Sequence, residues 1–497
     1  MSFTNWPENI HNDNVIIHYP TNDDEIINIL NQARDNNKII RVVGSSHSTS
    51  PAVSNSKEKL SLISLSQYQL MPENLTIDHK ELTVRVNAGW TLGKLYDQLN
   101  VYRYFLETQP ASSAFTVGGV ISMPIHGSRL GASYISDTIT EITFIDMSGK
   151  RITKTILDND FNTYRINLGL FGVVISVTFK VNHIKNIKTK VKLYSDVFLA
   201  NGKFNRDIMS DKLNEIIKDC YGTKIRYNHS FLDMHNNKWL STDWKPTDQE
   251  PGIYIDTKEQ EEVTKEKAFE GFHRYIVPHY RENKTYLKLL GATMLGSIYG
   301  FIKKNTFEDH DMFWVSTGTR VFFLSYLIPI HTEGDEINLD NLCSALEVIM
   351  EHVNTANKFN IDFPIDIRFV CSSNLSLASP IRNQKKTVYM ALDLTCAAAN
   401  LDLSANVKTC KLFDCMFGMD FKGLNKDFRR YYYEIQEAWK QLGGVPHYAK
   451  LFGFSSATGN PFEPAQISNI LGPDVKDILR KQAQPLFMNK FVEQLLS

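Results

Sequence analysis

Twelve residues, Ile39 to Ser50 (IIRVVGSSHSTS), constrain this chain more than any comparable stretch. A β-branched apolar run reaches Gly44 and breaks at once into a hydroxyl-rich turn carrying His47. That pattern reads as a buried strand followed by a sharp backbone turn. Such a turn aims consecutive N–H groups at one point, and with the hydroxyls of Ser45, Ser46 and Ser48 it can cradle phosphate oxygens without a lysine. The same residues fit a plain polar turn after a core strand, so the rest of the chain must decide.

The surroundings are a folded domain of strands and helices. Asn22 and Glu25 form a capping-box-like start for a helix with Ile26, Ile27, Leu30 and Ala33 on one face, leading into the strand at Ile39. Leu82 to Ala88 alternates as a strand, and Thr91 caps a helix carrying Leu92, Leu95, Tyr96 and Leu99. In Thr116 to Arg129, TVGGVISMPIHGSR, the residues Gly118, Gly119 and Gly127 bare the backbone, either for a flat ligand or as a simple connection. Strands follow at 138–146 and 151–156, and Asn167 to Val177 sets further glycines in an apolar run. An α+β or α/β domain is expected.

At 497 residues the chain is too long for one core, and ~100 to 200 residues per domain gives two or three units. The texture becomes more amphipathic and charged beyond about Val181, which places a boundary near residue 183. Glu259, Glu261 and Glu262 read as a solvated charge run. The later half shows strands near 321–330, 366–371 and 387–394, a helix over 339–353, and a helix with Phe428, Tyr432, Ile435 and Trp439 on one stripe, stopped by Gly443 and Gly444.

Lysine plus arginine (54) nearly cancel aspartate plus glutamate (55), so no nucleic-acid partner or anionic membrane surface is expected. The six cysteines are scattered with no C-x-x-C pair and read as reduced thiols. MSFTNWPENIHNDN has neither a basic nor an apolar leader region, and LLGATMLGSIYGFI (289–302) is shorter than the ~20 residues of a bilayer span, so a cytoplasmic chain without a membrane span is expected. The Rossmann glycine fingerprint, the Walker A loop, the H-E-x-x-H zinc helix and the G-x-S-x-G elbow are all absent, and no metal is expected.

The ordered set Asn5-Trp6, R-V-V-G-S-S-H-S (41–48), N-A-G-W (87–90), T-V-G-G-V (116–120), H-G-S (126–128) and N-L-G-L-F-G-V-V (167–174) resembles the flavin-binding half of the vanillyl-alcohol-oxidase superfamily, with its PCMH-type FAD-binding fold. The spacing is most similar to that of the sugar-1,4-lactone and alditol oxidases. Asp366-Ile367-Arg368 is similar to that group's acidic-x-Arg strand, and Pro446-His447-Tyr448-Ala449-Lys450 to its His-Trp-x-Lys signature.

The resemblance implies an α+β chain: a two-part PCMH-type FAD-binding domain over 1–183, an α+β substrate or cap domain on an antiparallel sheet over 184–454, and a C-terminal segment over 455–497 returning to the FAD domain. It implies that Arg41, Gly44, Ser45, Ser46 and Ser48 hold the dinucleotide. His47 would be bonded to the flavin 8α-methyl carbon. Gly118, Gly119, Ser122, His126 and Gly127 would line the flavin, Gly169 and Gly172 would complete the cleft, and His447 would flank it. Asp366, Arg368 and Lys450 would be catalytic, with hydride passing from a substrate carbinol to flavin N5 and O2 leaving as H2O2. Three positions depart from the pattern: Asp366 stands for the usual glutamate, Tyr448 for the usual tryptophan, and Ala391 and Asp393 where alditol oxidases place His and Thr. The substrate implied is a small sugar lactone or related carbohydrate alcohol. A sterol oxidase of the same superfamily and an inert flavin-binding protein are the competing readings.

Overall fold

The computed structural model describes residues 2–7, 9–55, 57–222, 225–248, 284–302, 306–308, 321–354, 361, 363–397 and 425–497. The charge run at Glu259 to Glu262, the side chains of Cys396 and Phe428, and Cys410 and Cys415 lie outside what it describes. Three sheets carry the architecture.

The first is small and parallel. Asn22 caps the helix Asp23–Asp35 by accepting from the Glu25 N–H, and Glu25 reaches back to the Thr21 N–H, one residue before the cap. The helix delivers the chain to Ile39–Val43, which pairs in parallel with Leu60–Ser64, itself parallel to Val15–His18. Parallel strands end on one edge, and ligands of such sheets gather outside that carboxyl edge. Here the edge opens into Gly44 to Ser48 and Ser64 to Ser66.

The second sheet is antiparallel, in the order Arg151–Thr155, Ile139–Ile145, Val173–Lys180, Thr83–Asn87, Leu75–Asp78. Ile26, Leu30 and Ala33 of the first helix join Ile40 and Ile63 to Ile145, Val173 and Ile175, so one apolar cluster fastens the two sheets. Each such buried aliphatic contributes roughly 1.5–3 kcal/mol. Thr116 to Arg129 contains a helix, Val117–Ser122, where composition alone gives a loop. Two glycines and β-branched neighbours are poor helix formers, but Thr116 caps the turn by accepting from Gly119 N–H, and Val117, Val120 and Ile121 are buried.

The third sheet has eight strands, ordered Thr306–Glu308, Asn186–Ser195, Lys238–Thr247, Tyr227–Asp233, Ile365–Cys371, Thr387–Ala397, Val321–Thr332 and Val445–Pro446, and every neighbour is antiparallel. The helices Leu339–Asn354 and Asn425–Gln441 pack on each other and on Val321–Thr332, and Arg206–Tyr221 packs against Leu339–Asn354. The apolar helix Lys284–Ile302 lies on the strands at the other end, burying Leu287, Leu290 and Leu295 while Leu289 stays 65% exposed. Among the described residues no helix is long and apolar enough to cross a membrane. Cys220, Cys343 and Cys371 are buried free thiols.

Past residue 455 the chain returns to its beginning. Gln484 N–H donates to Leu170 O, Lys490 N–H to Glu58 Oε1, and Asn489 Nδ2 to the carbonyls of Pro51 and Ala52. Arg41, only 4% exposed, ties the same parts together: Nε donates to Ala52 O, Nη1 to Gly169 O and Phe487 O, and Nη2 to Leu168 O. Burial lowers its pKa to about 10, leaving it charged at neutral pH. Replacing it by methionine leaves four buried carbonyls without their donor, and each unsatisfied group costs about 1–3 kcal/mol. Arg41→Met is expected to lower stability in chemical denaturation by at least about 3 kcal/mol; an unchanged midpoint contradicts the clamp.

Candidate active site

A cavity of about 340 Å³ opens where the first two sheets face each other. One wall is Gly44 to Ser48 with Ser64 to Ser66; the other is Ala88 and Gly89, the helix Val117–Ser122, and Asn167 to Gly172. Ala449 and Lys450 close it from the eight-stranded side. The cradle depends on missing side chains: a Cβ on Gly44 would lie 2.1 Å from Thr116 Oγ1, and Gly172, at φ +147°, would put one 2.4 Å from Ile145 O. Ser46 takes φ +59°, and its carbonyl accepts from Trp6 N–H at 2.8 Å. Asn5 Nδ2 donates to Ser48 O, and Ser45 Oγ donates to Ala114 O. The resulting turn is strapped from both sides.

His47 sits inside that turn, stacked on Trp6 (centroids 4.8 Å apart) and edge-on to Phe115 at 5.0 Å. Neither ring nitrogen has a well-formed hydrogen bond among the described residues. Burial, then the charge of Lys450, against a weaker pull from the Ser45 backbone, lower its pKa to about 4. The imidazole is therefore neutral, with a free lone pair beside the cavity.

The second cluster stands on one face of the eight-stranded sheet. In a strand, residues two apart share a face and residues directly across from each other do too. Ile365–Cys371 puts Asp366 and Arg368 on one face; its neighbours place His229 opposite Arg368 and Asp393 opposite Asp366. Arg368 lies between the two carboxylates, with Nη2 donating to Asp393 Oδ2 at 2.5 Å and Nε 3.2 Å from Asp366 Oδ1. His229 Nε2 donates to the same Asp366 oxygen at 2.7 Å. Burial alone would raise the Asp366 pKa, but Arg368 and then His229 hold it well below the usual carboxylate range.

The edge strand Val445–Pro446 carries a tight turn to the same place. His447 N–H donates to Ser325 O, Ala449 N–H donates to His447 Nδ1, and Lys450 N–H donates to His447 O. Lys450 Nζ lies 4.1 Å over the Phe323 ring. Burial lowers its pKa, Asp393 and Asp366 oppose that, and Arg368 adds to it. Thr49 N–H donates to Ala449 O at 2.8 Å, joining the His47 turn to the Lys450 turn.

The comparisons with known proteins fit this geometry. The FAD binding domain family matches residues 15–154, the part that builds the cavity, and the D-arabinono-1,4-lactone oxidase family matches residues 283–495, the part that carries Asp366, Arg368, Asp393 and Lys450. The chain thus carries an FAD binding domain match in its first half and a D-arabinono-1,4-lactone oxidase match in its second. An L-gulonolactone oxidase of Mus musculus is 26% identical over 182 residues, 36% of this chain and 40% of the relative. A D-arabinono-1,4-lactone oxidase of Candida glabrata is 27% identical over 172 residues, 34% of this chain and 32% of the relative. These matches span less than half of either relative. The L-gulonolactone oxidase of Scyliorhinus torazame is 27% identical over 455 residues, 90% of this chain and 88% of the relative. Among solved structures, a solvent-stable cholesterol oxidase superposes with a TM-score of 0.74 at 16% identity, covering 100% of this chain and 97% of its own. The cholesterol oxidase from B. sterolicum gives 0.67 at 15%, covering 100% and 96%. At those identities they share the fold.

The cavity fits the FAD that the matched domain binds: bare backbone at Gly44, Gly118, Gly119 and Gly169, the hydroxyls of Ser46 and Ser122, and the unpartnered His47 all border it. Arg41 also borders it, although its donors are largely taken by the four carbonyls named above. Three expected positions fall elsewhere. Gly127 packs against the Gln109 backbone, where a Cβ would lie 2.4 Å from its carbonyl. His126 and His447, rings 6.1 Å apart, are buried beside the Arg368 cluster and off the cavity wall. His229 has no motif to announce it; alternation along Tyr227–Asp233 gives its face, but its pairing with Arg368 spans a distance in sequence that periodicity cannot bridge. Asp393 is visible in the sequence as a departure, not as a partner of Arg368.

Burial, with Arg368 adding to it and Asp393 and Asp366 opposing, lowers His126 to about 4 from 6.5. Between those values the unfolded chain takes up a proton that the folded one refuses, so this contribution is complete above pH 6.5 and is lost as pH falls toward 4. Denaturant midpoints are expected to fall across that window. His126→Asn should flatten the slope by about 1.4 kcal/mol per pH unit, and an unaltered slope contradicts the assignment.

Proposed function

We propose that the protein is an FAD-dependent oxidase that oxidises a CH–OH group of a sugar lactone or related carbohydrate alcohol, with O2 as acceptor and H2O2 as product. The observation that carries this reading is Lys450, which borders the FAD cavity and lies within electrostatic reach of Arg368, Asp366 and Asp393. Residues 1–183 bind the cofactor, 184–454 bind substrate, and 455–497 brace the first unit. Bound FAD supplies the hydride acceptor, and through O2 the electron sink. The protein supplies orientation and charge.

Arg368 is held by a hydrogen bond from Nη2 to Asp393 and by the charge of Asp366, 3.2 Å from Nε, and its guanidinium meets the substrate oxygen whose negative charge grows as its proton departs. Asp366, held by His229, keeps the guanidinium in place. Lys450, its ammonium partly desolvated, is the second positive centre at the cavity's edge. Gly44, Ser46 and Ser48 hold the pyrophosphate, and Arg41 shapes that turn. His47 is the point of covalent attachment at the flavin 8α-methyl carbon, a role supported by its neutral, unpartnered nitrogens. A charged face built around Arg368 favours a polar carbohydrate over a sterol.

Three measurements test this. Protein denatured in acid should keep its yellow fluorescence, and His47→Ala should release it; free flavin from the unmodified protein excludes the covalent bond. Peroxide should appear with sugar lactones or alditols and not with sterols, and the reverse pattern overturns the substrate class. Arg368→Lys should retain the flavin spectrum yet lower kcat/KM at least about 100-fold, since lysine cannot reproduce the fork. Unchanged turnover removes Arg368 from the mechanism.

A further inference from the structure

The hairpin of Phe3–Thr4 and His11–Asn12 stands off the cavity wall, yet its polar groups are directed at the turn that carries His47. Trp6 N–H donates to Ser46 O, Asn5 Nδ2 to Ser48 O and Asn9 Nδ2 to Thr49 O, so three donors hold the backbone between Ser46 and Thr49. Asn12 Nδ2 ties the other strand to Ser54 Oγ, Asn55 O and Glu58 O. What this strap presents to the site is one ring. The Trp6 indole lies on the His47 imidazole with centroids 4.8 Å apart and planes 24° from parallel, while Phe115 meets that imidazole edge-on. A histidine is ordinarily oriented by the hydrogen bond that its second ring nitrogen makes. At His47 neither nitrogen has a well-formed one among the described residues, and the torsion that turns the ring is intrinsically broad. Packing therefore sets the direction of the ring, and Trp6 supplies the flat face.

We infer that Trp6 is a positioning residue for cofactor attachment: held by the hairpin and stacked on His47, it keeps the imidazole turned so that a ring nitrogen reaches the flavin 8α carbon. This rests on the covalent reading of His47 given above. In the attachment step a methyl C–H and the imidazole N–H break, an N–C bond forms, and the two electrons and two protons released pass to O2 as H2O2. The cofactor and O2 balance that step, and the protein's part is to hold the nucleophile in line, where a misplacement of about 1 Å can cost about 100-fold in rate. Trp6 is not on the cavity wall, so it acts through the ring it covers. Such a stack needs a flat partner: an unbranched aliphatic side chain fills the space without fixing the plane of the imidazole.

The test compares the intact protein with Trp6→Phe and Trp6→Met, reading total bound flavin and the share of it that survives acid denaturation, as purified and after timed incubation with FAD in air. The intact protein should keep nearly all of its flavin through acid. Trp6→Phe retains a flat ring and should keep a similar share, whereas Trp6→Met should bind as much flavin in total yet attach about 10- to 100-fold less of it. Equal shares in the two variants overturn the inference. So does a fall in total flavin in Trp6→Met that matches the fall in attached flavin, since Trp6 then supports the turn alone. Should Trp6→Met not fold, Asn9→Ser releases Thr49 O without opening apolar space and must lower the attached share; an unchanged share there overturns the inference. Intact protein that gives up all its flavin to acid overturns the covalent reading and the inference with it, while peroxide release on sugar lactones still decides the oxidase reading.

Discussion

The Arg41 guanidinium holds the molecule's parts in register. It leaves a strand of the small parallel sheet and donates to carbonyls on the loop entering the five-stranded sheet, on the segment after the cradle, and on the C-terminal return at Phe487. An arginine with so many backbone acceptors keeps its charge in the interior because those carbonyl dipoles stand in for water. Fixed this way, the turn from Gly44 to Ser48 and the loop from Asn167 to Gly172 face each other across a set gap, and that gap is the cavity.

A second junction aligns the cavity with the chemistry. Thr49 N–H meets Ala449 O, so the turn that presents His47 and the turn that presents Lys450 share a hydrogen bond. Behind them, antiparallel pairing stacks His229, Arg368, Asp366 and Asp393 on one face. The cavity is lined from both halves of the chain, mostly by residues 41–174 and from the later half by Ala449 and Lys450. The charges at the junction are poised by each other: Arg368 draws Asp366 down, and burial presses His126, His447 and Lys450 toward neutrality.

Much of this was legible beforehand where the signal is local. The strand Ile39–Val43, the Asn22 and Thr91 caps, and the alternation that puts Asp366 and Arg368 on one face depend on neighbours a few residues away. The order of the glycine-rich motifs carried the cradle. The helix Val117–Ser122 was hidden because tertiary burial of Val117, Val120 and Ile121 outweighs poor propensity. His229 and the pairing of Asp393 with Arg368 were hidden because strand order in a large sheet is a long-range property. His126 and Gly127, adjacent to residues that do line the cavity, fall behind its wall because the chain turns inward after Ile125.

The central claim is that substrate oxidation occurs where the FAD cavity meets the Arg368 face. Its most direct test is an anaerobic titration of the purified yellow protein with a sugar lactone, following the oxidised flavin's visible absorbance. The account predicts complete bleaching by one equivalent of lactone and recovery of the colour when O2 is admitted. A flavin that stays oxidised in excess lactone and alditol, while dithionite still reduces it, contradicts it.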